Sequence, residues 1–268
     1  MSQTRIYRHD ARALPGVAEQ LKTLQEDLEV ARRIQARLLP EAPRVPGYDI
    51  ASYYQPAGEV GGDFYDFIPI DAAHTAILIA DASGKGLAGA LLMVEARAMI
   101  RAIASMNRSP REILIDVNRI LLRDLDRGMF VTIFLAILDH ERHQLTASSA
   151  GHTPMLLHRA RGGTVEIHAP PGVVLGAASE AMFAGGLKET LIGLEPGDRF
   201  LLFTDGASEL MNPVQVEYGM EPLEQLLLKS AGMSSVDVLR KLESDLEMHR
   251  AGQPPSDDIT LVAVARMK

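Results

Sequence analysis

The sequence predicts an α+β fold in which two antiparallel β-sheets pack face to face and helices cover their outer faces. Segments with the composition and alternation of strands outnumber helical segments, and the predicted helices form two antiparallel pairs. This order favours a sheet-on-sheet sandwich over a doubly wound parallel sheet, in which helices would alternate with strands. With 268 residues, 47% of them hydrophobic, the chain can form one large domain with an appendage or two small domains.

The first forty residues predict a flexible tail followed by a linker helix. Residues 1–16 are polar, end in Pro15-Gly16 and lack the apolar core of a signal peptide. Residues 17–40 predict a helix of about six turns, which Pro40 ends. Its apolar or small residues have the three-four spacing of a heptad seam, with Gln35 at the one polar position: Val17, Leu21, Leu24, Leu28, Ala31 and Leu38. This helix either packs on its own domain, or pairs with a second copy as a coiled coil, or docks a regulatory partner.

The remaining residues, 44–268, predict the main domain. Two antiparallel strands are expected within residues 48–70 around a glycine-rich turn, and a third at 75–80. A largely buried helix, with apolar residues nearly all round, is expected after Gly86, and another helix begins at Ser109-Pro110 and ends near Leu125. Further strands are expected at 130–138, 144–149, 155–159, 165–168, 188–192, 199–204 and 259–265, and helices at 221–230 and 236–249.

The composition argues against several classes of function. Acidic residues outnumber basic ones by 35 to 27, and no Lys/Arg-rich run is present, so we expect no nucleic-acid partner. The chain has no cysteine, which removes disulfides, thiolate nucleophiles and cysteine-based zinc sites. No apolar segment approaches the roughly 20 residues of a membrane span. We therefore expect a cytoplasmic protein without a membrane partner.

Aspartates recur in four short motifs, three of which adjoin apolar runs typical of buried strands. They are Asp63 in GGDFYDF, Asp81 in ADASGKG, Asp205 in FTDGASE, and Asp257 with Asp258 in SDDITLV. Carboxylates at rigid strand ends, with few histidines, favour the hard cations Mg²⁺ and Mn²⁺. Two such ions about 3.5 to 4 Å apart can hold a phosphoryl group and activate a water for in-line attack. The motifs together predict a two-metal phosphatase.

Each motif alone also has a simpler interpretation. Asp205 precedes a glycine and could form a common turn, and Asp81 or Ser83 could cap the helix that follows. Jointly, however, several buried carboxylates without a cation would be very costly, which favours the metal site. Lys85, between two glycines, is a candidate contact for a substrate phosphate, with a solvated lysine as the alternative.

Five segments resemble the SpoIIE/RsbU-type serine phosphatases, a bacterial branch of the PPM (protein phosphatase 2C-like) superfamily. In the family's order, they are GEVGGDFYDF (58–67), ADASGKGLAGALLM (80–93), SAGHTPMLL (149–157), LFTDGASE (202–209) and SDDITLV (256–262). LEVARRIQARLLP (28–40) resembles the family's linker helix. The resemblance implies a four-layer αββα sandwich at 44–268, with two Mn²⁺ or Mg²⁺ ions bound between the sheets.

The resemblance also implies roles for the matched residues. Asp81 would bridge the two metals, and the backbone carbonyl of Ala82 would bind one of them. Asp63 would act mainly through a metal-bound water, whereas Asp205 and Asp257 would complete the other metal site.

Three neighbouring residues are less clear. Asp258 is either an alternative ligand to Asp257 or a structural neighbour of the site. Eukaryotic relatives have a histidine where this chain has Ser83, so no general acid is assigned. His152 belongs to the family pattern, and we expect a structural, hydrogen-bonded role for it rather than metal binding.

By resemblance, the chain is a metal-dependent serine/threonine protein phosphatase that hydrolyses its substrate with a dimetal-activated water. The substrate implied is a phosphoserine STAS-domain anti-sigma-factor antagonist in a partner-switching pathway that controls a sigma factor. Two alternatives stay open: a catalytically silent module that binds a partner, and a dimetal hydrolase of small phosphoesters.

Overall fold

The computed structural model describes residues 15–106, 109–126 and 128–268. The predicted tail lies outside these residues, except that Pro15 and Gly16 begin the first helix. The helices are α1 Pro15–Leu38, α2 Leu87–Ala104, α3 Pro110–Asp124, α4 Glu180–Gly186, α5 Asp205–Ser208, α6 Glu221–Leu228 and α7 Ser235–Arg250. The strands are β1 Tyr48–Gln55, β2 Asp63–Pro69, β3 His74–Ala82, β4 Val131–Asp139, β5 Gln144–Ala150, β6 Met155–Arg159, β7 Thr164–His168, β8 Thr190–Gly193, β9 Arg199–Phe203 and β10 Ile259–Arg266.

The described strands form two antiparallel sheets of five strands each. One has the order β1-β10-β9-β6-β7 and the other β2-β3-β4-β5-β8. Their inner faces meet in a core that includes Phe67 and Phe134 from the second sheet and Phe200 and Val262 from the first. Helices α2 and α3 cover the outer face of the second sheet, and α6 and α7 that of the first. The predicted four-layer αββα sandwich is thus confirmed.

The expected hairpin within residues 48–70 is wrong. β1 pairs with β10 in the first sheet, whereas β2 pairs with β3 in the second, so the chain crosses between the sheets at the glycine-rich segment. Alternating polarity predicts that two strands exist but not which neighbours they pair with. The crossing places Asp63, at the start of β2, directly opposite Asp81 of β3.

The helices α2 and α3 start where the sequence indicates. Ser109 caps α3, because its side chain accepts a hydrogen bond from the backbone N–H of Glu112. α2 is less buried than expected, since Leu87, Leu91 and Val94 are exposed by 40% or more. α2 packs on the sheet and on α3, and its remaining face is turned to solvent because a helix of the outer layer is not covered on all sides. The sequence did not predict α4 or the short α5.

The linker helix α1 contacts the domain mainly through its C-terminal end. Val17, Leu21 and Leu24 are 42%, 56% and 55% exposed, whereas Gln35 is only 5% exposed. Packing of α1 on its own domain therefore buries the C-terminal end of the helix, but the apolar residues at the start of the seam stay exposed. Pairing with a second copy stays a prediction. None of the described helices is long and apolar enough to cross a membrane.

Candidate active site and metal centre

The aspartate motifs meet at one end of the sandwich, around a cleft of ≈ 450 Å³. Its walls come from residues 57–62, 81–86 and 255–258, together with Leu28 of α1. Asp81, Asp257 and Asp258 lie in these walls, as does Lys85. Asp63 and Asp205 do not line the cleft itself. The structure therefore brings three of the five predicted aspartates to one cleft and leaves two beside it.

Asp63 is a buried carboxylate that joins the two sheets. It is 1% exposed, and its Oδ2 accepts hydrogen bonds from the hydroxyl groups of Thr204, at 2.6 Å, and Thr260, at 2.7 Å. Thr260 lies in β10 of the first sheet and Thr204 directly follows β9, whereas Asp63 begins β2 in the second sheet. These two bonds fix the position of the carboxylate and hold the ends of the sheets together beneath the cleft.

Close backbone contacts explain why the first motif contains two glycines. A Cβ atom on Gly62 would lie 2.3 Å from the carbonyl oxygen of Ala82, and one on Gly61 would lie 2.1 Å from Oδ2 of Asp258. Real Cβ atoms do not approach so closely, so only glycine lets this loop lie against the end of β3. The loop thereby lies directly against the backbone carbonyl that the resemblance assigns to metal binding.

Asp257 and Asp258 have different surroundings. Asp258 is 5% exposed, and its two carboxylate oxygens accept hydrogen bonds from the backbone N–H groups of Ala57, at 2.8 Å, and Asp63, at 3.2 Å. Asp257 is exposed to the cleft, and one of its oxygens accepts from the N–H of Asp258. Asp258 thus ties backbone segments together, while Asp257 keeps oxygen atoms available to a ligand.

The carboxylates around the cleft are partly or fully buried and interact electrostatically. Burial, reinforced by the charges of Asp205, Asp257 and Asp258, raises the pKa of Asp81 to about 7. Burial and then Asp257 raise the pKa of Asp205, and burial and then Asp81 raise that of Asp63 well above its ordinary value. Each negative charge therefore makes ionisation of its neighbours more costly, and a cation would reverse this effect.

The available donors fit a hard divalent cation. They are carboxylate oxygens and the carbonyl oxygen of Ala82, which suit Mg²⁺ or Mn²⁺, ions that also keep several waters. In the described part of the chain, no three His, Asp or Glu side chains are close enough together to hold an ion directly.

Two of the simpler interpretations can be compared with the structure. Capping of α2 by Asp81 or Ser83 is wrong, because Gly86 occupies the N-cap position without a side-chain hydrogen bond. The hydroxyl of Ser83 instead accepts from the N–H of Phe130 at 2.8 Å. Asp205 does not form a simple turn but begins the short helix α5. Neither aspartate is explained by local backbone capping alone.

His152 has the surroundings of a structural residue. Its Nδ1 lies 2.8 Å from the hydroxyl of Thr132, a residue paired with Asp81 across β3 and β4. Burial lowers the pKa of His152 to about 3, so the ring is neutral near pH 7. This arrangement supports the expected structural role.

Sequence reasoning missed three side chains that support the site. Thr204 and Thr260 hold Asp63, and Gln35 of α1 bonds to the backbone of Gly61. Both threonines stand inside the recognised motifs, FTDGASE and SDDITLV, one residue before and two residues after an aspartate of the motif. Gln35 was visible as the single polar residue of an apolar seam.

The αββα sandwich, with its cleft of clustered aspartates between the sheets, defines the class of PPM-type metal-dependent phosphatases. A family model described as Stage II sporulation protein E (SpoIIE) matches residues 71–267. The chain belongs to the SpoIIE family, as the motifs indicated.

Similar proteins support the same class. The chain is 30% identical to phosphoserine phosphatase RsbU of Bacillus subtilis over 94% of this chain and 73% of RsbU. It is 27% identical to phosphoserine phosphatase RsbP of the same organism, over 90% of this chain and 58% of RsbP. The SiaA-PP2C domain of Pseudomonas aeruginosa has the same fold, with a TM-score of 0.80 at 24% identity, over 94% of this chain and 100% of that domain. The protein is a metal-dependent phosphoprotein phosphatase.

Proposed function

We propose that the chain removes phosphate from phosphoserine or phosphothreonine of a partner protein, with two Mn²⁺ or Mg²⁺ ions bound at the aspartate cleft. The observation that carries the proposal is the convergence of motifs far apart in the sequence on one cleft, where their carboxylates raise one another's pKa values. Carboxylates with raised pKa values cluster at functional sites, and a bound cation would offset their repulsion.

The proposed ligands follow from where each oxygen lies. Asp81 stands at the centre of the electrostatic network and would bridge both ions, while the carbonyl of Ala82 would bind one of them. Asp205 and Asp257, which raise the pKa of Asp81 together, would complete the other ion's site. Asp63 is locked by two threonine hydroxyls and would hold a water of the first ion. When bound, such ions supply positive charge for the phosphate and lower the pKa of water toward neutrality.

Asp258 is proposed as a positioning residue rather than a ligand. Both of its oxygens already accept backbone hydrogen bonds, from residues of the loop and from the start of β2. These bonds hold Asp63 and the loop in place. Replacement of Asp258 would therefore disturb the cleft, because two backbone N–H groups would lose their acceptor. Replacement of Asp257 would instead remove a metal ligand.

Lys85 is proposed to contact the substrate phosphate. It lies in the wall of the cleft, in the turn between β3 and α2, and is exposed. An ammonium group there can approach the phosphate as a point charge and offset part of the surrounding negative charge. The hydroxyl oxygen of Ser83 accepts a hydrogen bond from the backbone N–H of Phe130, and no general acid for the leaving group is proposed.

The substrate we propose is a phosphoserine STAS-domain anti-sigma-factor antagonist in a partner-switching pathway. Its support is the family resemblance and the similarity to RsbU, a protein named as a phosphoserine phosphatase. We propose that residues 44–268 form the phosphatase domain and that residues 17–40 form a linker helix for a regulatory partner or a second copy. The exposed apolar residues Val17, Leu21 and Leu24 support a further contact on this helix.

The test is to incubate the protein with a phosphoserine STAS-domain protein and Mn²⁺, and to measure phosphate release. Wild type should release phosphate only with the metal, and Asp81→Asn should be inactive. Faster turnover of small esters than of the phosphoprotein would support the small-phosphoester hydrolase instead. Absence of turnover with all substrates, despite binding of the STAS protein, would support the silent binding module.

A further inference from the structure

The side chain of Gln35 satisfies both backbone polar groups of one residue in the wall of the cleft. Its Nε2 donates to the carbonyl of Gly61 at 2.6 Å, and its Oε1 accepts from the N–H of Gly61 at 3.0 Å. Gln35 is 5% exposed, so these hydrogen bonds are shielded from water. A buried side-chain amide that pairs with a single backbone unit in this way fixes both its position and its orientation.

The segment that Gln35 holds, residues 57–62, is called here the cleft loop. On its other side the cleft loop is held by Asp258, which accepts from Ala57 at 2.8 Å and from Asp63, the next residue after the loop, at 3.2 Å. At Gly61 there is no space for a Cβ, because Oδ2 of Asp258 would lie 2.1 Å away. The cleft loop is therefore clamped between α1 and Asp258.

The cleft loop determines the geometry of the candidate metal centre. Gly62 lies against the carbonyl of Ala82, and Asp63 follows it directly. A displacement of Gly61 by a fraction of an ångström would therefore move two groups that the proposed site uses. Groups at a catalytic centre must be held within about 0.5 Å of the productive geometry.

Other contacts between α1 and the cleft loop cannot replace the glutamine. The ion pair between Arg32 and Glu59 spans 3.8 Å and both side chains are more than half exposed, so it contributes little. Leu28 lines the cleft but offers no hydrogen bond. Toward the N-terminus of α1, Leu21 and Leu24 are more than half exposed. α1 therefore contacts the cleft loop chiefly through the hydrogen bonds of Gln35.

We infer that Gln35 is a positioning residue for the metal centre: through Gly61 it sets the cleft loop, and with it Ala82 and Asp63, in the metal-binding geometry. The inference rests on the proposed function, since it names a residue that supports the same site. It also gives the linker helix a specific contact with the site, at the cleft loop.

The experiment compares Gln35→Met and Gln35→Ala with wild type. Methionine keeps the length and packing of the side chain but has no amide, whereas alanine removes both. The control is Gln25→Ala, since Gln25 is an exposed glutamine on the same helix. Hydrogen exchange of the cleft loop is measured in the metal-free protein. The Mn²⁺ concentration for half-maximal activity, kcat and KM are measured with a small phosphate ester, and thermal unfolding reports global stability.

Both Gln35 variants should exchange the Gly61 amide at least about tenfold faster, since the N–H loses its protein partner. Their half-saturating Mn²⁺ concentration should rise by a similar factor, about 1.4 kcal/mol per tenfold, while the KM for the ester is unchanged. Gln25→Ala should match wild type in every measurement. A purely structural role would lower the thermal midpoint without changing the Mn²⁺ dependence.

The inference is overturned if Gln35→Met binds Mn²⁺ and exchanges its loop amides like wild type, even if Gln35→Ala does not, because packing alone would then explain the alanine result. It is also overturned if Gln25→Ala shows the same loss. Failure of the proposed function has a different signature, namely wild type without Mn²⁺-dependent hydrolysis. In that case the exchange measurement alone decides whether Gln35 orders the cleft loop.

Discussion

Replacement of Asp81 by asparagine should stabilise the metal-free protein and at the same time abolish its activity. Asparagine has nearly the same shape as aspartate but carries no charge. In the metal-free protein, burial of Asp81, reinforced by the charges of three other carboxylates, raises its pKa from 3.8 to about 7. The substitution removes a charge that only a cation can stabilise at this position.

The magnitude follows from proton linkage. The unfolded chain releases the Asp81 proton near pH 3.8, while the folded, metal-free protein retains it until about pH 7. Between these values the folded state binds more protons than the unfolded chain. The contribution of Asp81 to stability is therefore fully present below pH 3.8 and is lost as the pH rises through 7. A difference of about three pKa units corresponds to about 4 kcal/mol, which is the upper limit of the gain expected for Asp81→Asn at pH 8.

The assay is urea unfolding of both proteins at pH 5 and pH 8, with EDTA or with Mn²⁺. In EDTA, Asp81→Asn should be the more stable protein at pH 8, with a smaller advantage at pH 5. With Mn²⁺ at about 100 times its Kd, wild type should gain about 2.7 kcal/mol, and the variant should gain nothing. Asp124→Asn, an exposed aspartate at the end of α3, is the control. Equal stability in EDTA, or an equal gain from Mn²⁺ in both proteins, would refute the reasoning.

Four other substitutions separate ligands from structural residues. Gly62→Ala should reduce kcat at least about tenfold, because its methyl group would lie 2.3 Å from a backbone oxygen, whereas Gly185→Ala, where the added atom meets nothing within 4 Å, should be active. Asp66→Asn should lower the free energy of unfolding by about 3 to 5 kcal/mol in urea titrations, since this fully buried carboxylate pairs with two arginines of α2 at 2.6 and 3.0 Å. Asp257→Asn should weaken Mn²⁺ binding in calorimetry with little loss of stability. Asp258→Asn should instead lower the thermal midpoint, because it holds two backbone N–H groups.

The sequence predicted the layers of the fold better than the connections between strands. Hydrophobic periodicity located the strands and helices, since it reflects which faces are buried. It did not predict that β1 and β2 belong to different sheets, because pairing is decided by contacts distant in sequence. The exposure of Leu91 was missed for a related reason: composition shows that a helix is apolar, but not how many surfaces surround it.

At the site, the motifs predicted which aspartates would come together but not how each is held. The different surroundings of Asp257 and Asp258 depend on hydrogen bonds to residues about two hundred positions away, for which adjacent positions in a motif give no signal. The hydrogen bonds of Asp63 to Thr204 and Thr260 were likewise not predictable, because these residues are distant in sequence and meet only in the folded chain. Gln35 is the opposite case. The sequence marked it as a polar residue in an apolar seam, but only the structure shows that it bonds to Gly61.

The most direct test of the metal centre is a crystal structure of the protein with Mn²⁺, using the anomalous scattering of manganese. Two peaks about 3.5 to 4 Å apart are predicted, with Asp81 between them and Asp205 and Asp257 at one of them. Asp63 should lie near the other peak, with a water between them. A cleft without manganese, or manganese bound only away from Asp81, would contradict the assignment of these aspartates.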